Sequence, residues 1–396
     1  MTALTAVLRD PTLRMITLAL LLLGAHNAAT YPYQSLIAIE VIGLSEPAFA
    51  LVLVLASALA VTSSVLFGIF GDRFGNRRGI ALGTALCSTI GITLMLLVPG
   101  PVALVITHGI LLPIASSFYG QLFALARLAR QDEGRARDGI LATIRAAMSI
   151  SFTLMLVFWT FAFATGIGVM AIYVSAGLAS LAISALVYFG WPRDGATTWE
   201  DRPSGLNMTG ALAEIARPHV LLRLLLLGAI SSAGNLYMIL ASLVFDASPV
   251  RDTGDVALYV GLVAAWEVPF MLLLPWLALR MRRTVLLAVG TALYVSQLLL
   301  MPHLVDTAYV WVLTLLAGMG GTAIITLPIS YYQDLILGRP GTAAAMLALQ
   351  KLVGDMMAAC AFVIGTWFGG YGLTGFIGTT IALTGAVGLI VADRRR

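Results

Sequence analysis

Charged side chains are scarce in this sequence: Asp, Glu, Lys and Arg make up 11% of its 396 residues. An ordinary soluble domain carries about 25% of these residues. Hydrophobic residue types reach 60%, and this balance excludes a soluble globular protein. Cysteine is scarce too, because Cys87 and Cys360 are the two cysteines of the chain and both lie in apolar segments. Such residues behave as small hydrophobes and indicate no disulfide framework.

The sequence also lacks the common patterns of catalytic sites. It has no histidine cluster with metal-ligand spacing, no phosphate-binding P-loop and no nucleophile elbow. We therefore expect no enzyme activity, no catalytic residue, no bound metal and no cofactor. The net charge of +4 does not indicate a nucleic-acid partner, because the arginines are spread among short connections and not gathered on one face.

Long apolar runs are what the sequence does have. A helix that spans a membrane needs roughly 20 mainly apolar residues. Runs of this length, separated by turn residues and charges, predict an all-α integral membrane protein with twelve transmembrane helices. The predicted spans are 15–38, 48–70, 79–98, 102–126, 139–163, 168–191, 219–244, 255–279, 284–302, 308–332, 341–367 and 371–392.

The distribution of arginine predicts the orientation of these spans. Short loops rich in Arg and Lys stay in the cytoplasm. Both chain ends and every second connection carry arginines, whereas the opposite connections carry Arg251 together with six acidic residues. An even number of spans with both termini in the cytoplasm explains this asymmetry.

A two-fold internal repeat is visible, though weak. The run LLLLGA occurs at Leu20–Ala25 and again at Leu224–Ala229, and Tyr33 and Tyr237 follow at the same offset. Transporters are often built from repeats of this kind. We predict two bundles of six helices, residues 1–191 and 219–396, joined by a cytoplasmic linker, 192–218.

A distinctive loop, GIFGDRFGNRR, follows the second span from Gly68 to Arg78. Glycines allow close helix approach and tight turns, and an aspartate can meet a helix N-terminus or an arginine. The loop resembles the signature loop of the major facilitator superfamily. The resemblance implies the major facilitator fold of two pseudo-symmetric bundles. It also implies an inner gate, for which the candidates are Gly68, Asp72, Arg73, Gly75 and Arg77.

Three further stretches resemble the bacterial sugar efflux transporter family: QLFALAR from Gln121, WEVP from Trp266 and YQDLILGRPG from Tyr332. The resemblance implies a secondary active transporter that exports small sugars or glycosides by alternating access, in exchange for protons. It further implies a bacterial inner membrane. The expected partners are the small-molecule substrate, protons and the lipid bilayer, with no nucleic acid, and we expect a functional monomer.

One stretch departs from this pattern. Drug and sugar exporters commonly carry Gly-Pro elements in the middle of the fifth span, whereas this chain reads MLVFW from Met155 to Trp159. The sequence therefore does not identify the substrate. An exporter of amphiphilic drugs with the same fold is one alternative, and a sensor that binds a ligand without moving it is another.

Four charged residues inside predicted spans are candidates for proton coupling. A charge within the hydrocarbon is costly unless it faces the bundle interior or a partner. Glu267 precedes Val268 and a proline that is expected to kink the helix. Its carboxyl group either carries the coupling proton or has a structural role at the kink, with its hydrogen bonds satisfied. Lys351 and Asp355 share a helix face and can form an ion pair. The pair either has a structural role, or takes part in coupling because substrate or a proton competes for it and changes the protonation of Asp355. Arg145 is either a structural counter-ion or a donor to substrate.

Polar residues of the spans are candidates for substrate binding, because amides bond sugar hydroxyls and aromatic rings pack on sugar faces. In the first span these polar residues share one arc of the helix. We expect polar residues of the seventh span to face them across the axis between the two bundles. Tyrosines at span ends are also common interface anchors. The candidates are His26, Asn27, Tyr31, Gln34, Gln121, Asn235, Tyr237, Glu267, Gln333 and Gln350. Gln121, Arg145 and Asp334 lie toward the cytoplasmic third, where they could instead serve the inner gate.

Overall fold

A computed structural model describes residues 3–74, 77–129, 135–193, 216–278, 280–335 and 340–394. All regular structure within these ranges is helical. Each of the twelve predicted spans coincides with a helix or with one half of the last helical stretch. The all-α fold class is therefore confirmed.

Six helices make up the amino-terminal part of the chain, after a short helix Ala3–Arg9. Helix α4 is irregular, because a π-helical segment, Val105–Leu111, and a turn at Ser117 interrupt it. The helices are α1 (Pro11–Val41), α2 (Glu46–Phe74), α3 (Arg77–Leu97), α4 (101–129), α5 (Arg135–Ala164) and α6 (Ile172–Gly190).

Six more helices follow Arg217. They are α7 (Pro218–Asp246), α8 (Thr253–Ala278), α9 (Arg283–Leu304), α10 (Val310–Leu335) and the long stretch Pro340–Arg394. This last stretch is broken at Gly369 and Gly370, and Gly370 has φ +71°. Because that left-handed conformation favours glycine, the break separates two helices, α11 (340–368) and α12 (371–394).

Local sequence explains where several helices begin. The Asp10 carboxylate accepts hydrogen bonds from the backbone N–H groups of Thr12 (2.8 Å) and Leu13 (3.1 Å), and so caps α1. Proline stands in the first turn of α1 and α7, where its missing N–H costs nothing.

The outer faces of these helices are apolar. Eleven helical stretches of the described residues are long and apolar enough to cross a membrane, and the last of them contains both α11 and α12. Large hydrophobic side chains are exposed, for example Phe189 (83%), Phe368 (77%) and Trp367 (74%). Surfaces of this kind are stable against lipid and not against water. The protein is a multi-pass membrane protein.

The chain forms two compact units: Met1–Tyr33 with Ala58–Ser204, and Gln34–Ser57 with Gly205–Arg396. The segment 34–57, which the sequence analysis assigned to the first bundle, packs in the second unit. Ser35 hydrogen-bonds to α7, and the ring of Phe49 packs edge-on against Phe362 of α11, 6.4 Å between centroids. The predicted boundaries at 191 and 219 stay a prediction.

The first unit contains a hydrophobic core, and both units have a close helix contact at the repeated glycine. Buried residues of α1, α4, α5 and α6, such as Leu20, Leu122, Ile144 and Val187, form the core of the first unit. A side chain at Gly24 of α1 would collide with the backbone of Met148 on α5, and one at Gly228 of α7 would collide with Val353 on α11. The two LLLLGA runs therefore let the first and fifth helices of each repeat approach closely.

Candidate functional site

The loop motif after α2 is only partly described. The guanidinium group of Arg77 lies against Gly71, where an added Cβ would be 3.2 Å from Arg77 Nη1, so Gly71 allows the close approach that was predicted. At Gly68 an added Cβ would meet no described atom within 4 Å, which gives no support for close packing there. Gly75 and the side chains of Asp72 and Arg73 lie outside the described residues.

A small pocket with both polar and apolar side chains in its wall lies inside the first unit, among α1, α3, α4 and α6. Its volume is about 40 Å³, which is room for about three water-sized groups. The polar side chains in its wall are His26, Asn27, Thr30, Tyr31, Thr84, Ser88, Ser116 and Ser180. Of the predicted substrate-binding residues, the pocket thus brings together His26, Asn27 and Tyr31, and adds hydroxyl groups from three other helices.

The hydrogen bonds of His26 define its neutral tautomer. The side chain is 5% exposed, and its Nδ1 lies 3.3 Å from the carbonyl oxygen of Ala176 on α6. A carbonyl oxygen only accepts, so Nδ1 carries the proton. In the neutral ring Nε2 is then the acceptor, and the Ser88 hydroxyl, 3.4 Å away, donates to it. His26 therefore links three helices of the first unit at the wall of the pocket.

A second buried histidine of the first unit was missed by the sequence analysis. His108 lies in the π-helical segment of α4, and its Nε2 is 2.8 Å from the hydroxyl of Tyr173 on α6. Both side chains are buried. A signal was available, because a histidine inside a long apolar span calls for a partner.

In the second unit, two predicted amides lie on facing helices. Asn235 is on α7, and a Cβ at Gly354 of α11 would be 3.1 Å from its Nδ2. Gln350 is one turn before Gly354, and its backbone oxygen accepts a hydrogen bond of 3.4 Å from Ser231 of α7. Asn235 Nδ2 and Gln350 Oε1 are buried and have no hydrogen-bond partner among the described residues. One donor and one acceptor are thus free on the α7–α11 face.

Glu267 lies in the interior of the second unit, beside α10. A Cβ added at Gly321 would be 2.8 Å from Glu267 Oε1. The Thr322 hydroxyl group donates a hydrogen bond of 3.1 Å to the backbone oxygen of Glu267. The same added Cβ would be 3.2 Å from the ring of Tyr294, so the Glu267 carboxyl group and this ring both lie against Gly321. A carboxyl group so placed among neutral side chains can hold or release a proton.

The other charged candidates differ in their surroundings. Lys351 Nζ lies 2.6 Å from Asp355 Oδ2, so the predicted pair is present, with 61% of the lysine side chain and 12% of the aspartate side chain exposed. Arg145 is exposed on α5 near Tyr119. The structure does not bring Arg145 into contact with the pocket.

The remaining predicted residues are scattered. Tyr237 is 1% exposed and packs between the rings of Tyr259 and Tyr294. Gln121 is 4% exposed, and Gln34 lies in the segment that packs in the second unit. The side chains of Gln333 and Asp334 lie outside the described residues.

A buried arginine cluster was also missed. Arg223 of α7 is 5% exposed and its Nη2 lies 2.9 Å from Asp393 Oδ1 of α12. Arg223 Nε donates to the Tyr331 hydroxyl of α10, and that hydroxyl donates to Asp393, each at 3.0 Å. Arg223 also donates to the backbone oxygens of His219 and Ala392. The cluster joins the ends of α7, α10 and α12.

Comparison with known proteins agrees with this architecture. Residues 16–359 match the Major Facilitator Superfamily. A protein of Deinococcus radiodurans named as a sugar efflux transporter is 27% identical over 373 residues, which cover 89% of this chain and 90% of the relative. Sugar efflux transporter A of Dickeya chrysanthemi is 25% identical over 314 residues, 76% of this chain and 75% of the relative.

Solved structures show the same fold at low identity. A variant of the nucleoside transporter NupG superposes with a TM-score of 0.79 at 14% identity, over 97% of this chain and 100% of that chain. The peptide transporter POT in complex with sulfate gives a TM-score of 0.75 at 12% identity, over 96% and 94%. The relatives are transporters and not enzymes. This chain is a membrane transporter and belongs to the major facilitator superfamily.

Proposed function

We propose that the protein exports small sugars or glycosides by alternating access, in exchange for protons. The observation that carries the proposal is the pocket of the first unit, whose wall holds the Asn27 amide and several hydroxyl groups, and whose present volume takes one hydroxyl-bearing edge of a sugar and not a whole ring. Neutral donors and acceptors of this kind suit the hydroxyl groups of a sugar and do not attract a charged cargo. The names of the two sugar efflux relatives support the same substrate class.

The second unit offers complementary polar groups. The free donor of Asn235 and the free acceptor of Gln350 match a hydroxyl group, which both donates and accepts. Lys351 is exposed in the middle of a spanning helix, and an ammonium group is not stable in hydrocarbon, so that face of α11 borders water. We assign Gln350 and Asn235 to substrate and Asp355 with Lys351 to coupling.

Glu267 is the proposed proton carrier. Its carboxyl group lies with the neutral ring of Tyr294 against a glycine of α10, so gain or loss of one proton changes the net charge of this region. Such a change can bias one conformation over another. We propose that both termini lie in the cytoplasm, because arginines concentrate at the chain ends and in alternate connections. The bacterial source of the two relatives supports a bacterial inner membrane, and we propose a functional monomer.

Uptake into inside-out vesicles tests the proposal. Labelled lactose or a labelled thiogalactoside is supplied with a proton gradient, and unlabelled sugars or a cationic dye compete. Saturable, gradient-dependent uptake that sugars block supports sugar export. Movement of the dye in place of sugar would support the drug exporter. Absence of counterflow in vesicles that contain only this protein, together with ligand binding, would support the sensor.

A further inference from the structure

Three aromatic rings of the first unit form a cluster outside the pocket. Trp159 and Phe163 are one turn apart on α5, and their rings stack with centroids 5.0 Å apart and an angle of 25°. The ring of Tyr33, from α1, meets Phe163 edge-on at 5.4 Å and 74°. The cluster lies where MLVFW departs from the Gly-Pro pattern of similar exporters.

Two polar atoms in this cluster have no partner. Trp159 is 3% exposed and Tyr33 is fully buried. Trp159 Nε1 and the Tyr33 hydroxyl oxygen have no hydrogen-bond partner among the described residues. Buried polar groups are normally bonded, and an unsatisfied one costs stability. Phenylalanine at position 33 would keep the ring contact without that cost, and an apolar ring at position 159 would avoid it too, so the two groups call for a partner from outside the chain.

The chemistry of the free groups identifies that partner. An indole N–H only donates, a phenol hydroxyl donates and accepts, and the rings offer apolar faces. A neutral sugar ring presents hydroxyl oxygens at its edge and C–H groups on its face. We propose that Tyr33 and Trp159 are substrate-recognition residues that bind hydroxyl groups of the exported glycoside. This inference rests on the proposed function.

The two free groups are buried in this structure, so substrate reaches them only after a local rearrangement. Tyr33 belongs to the Tyr31–Tyr33 turn of 3₁₀ helix, and the π-helical segment Ile37–Val41 follows it. Irregular helical turns of this kind are common at functional hinges. A rearrangement of α1 at this turn exposes Tyr33 and Trp159 together, and the substrate then supplies the missing hydrogen bonds.

Equilibrium binding to the purified protein in lipid nanodiscs tests the assignment. The ligands are a labelled thiogalactoside, its monodeoxy derivatives and a planar cationic dye. Tyr33→Phe removes the hydroxyl group and keeps the ring, and Trp159→Phe removes the indole N–H and leaves a smaller aromatic ring. Trp367→Phe and Tyr309→Phe make the same changes at residues that are 74% and 70% exposed.

We expect Trp159→Phe and Tyr33→Phe each to weaken thiogalactoside binding by about 5- to 10-fold, which corresponds to one lost hydrogen bond. The dye should bind as tightly as to the parent, and both control variants should match the parent. For one deoxy derivative, Trp159→Phe should cause no further loss, because the hydroxyl group that Trp159 binds is already absent.

Other results would overturn the assignment. Parent-level thiogalactoside affinity in both variants would show that the two groups do not touch the sugar. An equal loss for sugar and dye would indicate a merely structural role for the cluster. A parent protein that binds no sugar would overturn the proposed function, and this inference with it, whereas the first two outcomes leave the proposed function intact.

Discussion

Ser35 of α1 and Ser242 of α7 share a buried hydrogen bond of 2.8 Å between their hydroxyl oxygens. The Ser35 hydroxyl donates its one proton to the backbone oxygen of Ile239, at 2.7 Å, so Ser242 is the donor in the shared bond. These bonds attach the end of α1 to α7 within the second unit. The proposed alternating access would require contacts of this kind to break and re-form.

We expect Ser35→Ala to loosen the end of α1, because it removes both bonds at once. A cysteine at Ala38, which is fully buried, reports the opening through its rate of labelling by a maleimide, with Cys87 and Cys360 replaced by serine. Each lost buried bond should speed labelling by up to about 10-fold. Thr384→Ala, at an exposed threonine of α12 whose hydroxyl group bonds within its own helix, should label like the parent. Equal rates in both variants would contradict the role of Ser35.

Glu267→Gln should uncouple transport from protons, because an amide cannot exchange a proton in this pH range while its size is unchanged. Gradient-driven sugar uptake should fall to the level without a gradient, and sugar counterflow should persist. Glu40→Gln changes an exposed carboxylate at the end of α1 and should leave both activities at parent level. Parent-like uptake and pH dependence in Glu267→Gln would rule out Glu267 as the carrier.

Asp393→Asn should destabilise the second unit, because it weakens hydrogen bonds to a buried arginine. Hydrogen bonds to charged groups contribute about 1.5–3 kcal/mol. We expect a fall in Tm of at least about 2 °C in detergent, where about 1 kcal/mol shifts Tm by a few degrees. The double variant Arg223→Gln with Asp393→Asn should show a smaller fall in Tm than the sum of the falls in the two single variants. Arg9→Gln, at an exposed arginine, is the control and should leave Tm unchanged. Additive falls in Tm in the double variant would show that Arg223 and Asp393 are not coupled.

Gly24→Ala should lower stability by about 1–3 kcal/mol, since overpacking forces backbone shifts. The new methyl group would meet the backbone of Met148, which cannot rotate away as a side chain can. Gly83→Ala is the matched control, because an added Cβ at Gly83 meets no described atom within 4 Å. The Tm of both variants, measured in the same detergent, checks the difference. Equal values would show that α1 and α5 can separate without cost.

Some of the candidate site could be predicted residue by residue. Lys351 and Asp355 pair as expected, because an i, i+4 spacing on a helix brings two side chains together without help from other helices. His26, Asn27 and Tyr31 share a pocket for the same reason, since they occupy neighbouring turns of α1. Local helix geometry was sufficient in both cases.

The partners contributed by other helices could not be predicted. Ser88 meets His26 across 62 residues of sequence, and Asp393 meets Arg223 across 170. The rule that singled out Arg145, a charge inside an apolar span, applied equally to Arg223 but could not name Asp393 or Tyr331. Similarly, the free hydroxyl of Tyr33 is visible only once its neighbours are in place.

The sequence by itself determined the all-helical class, the positions of the spans and the repeat of a glycine in α1 and α7. These follow from local properties, because a helix in lipid satisfies its own backbone and needs only a sufficiently long apolar run. The tertiary structure decided which polar side chains meet and which segment packs in which unit. Lipid and protein interior are similarly apolar, so the composition of a spanning helix does not show which of its faces turns inward.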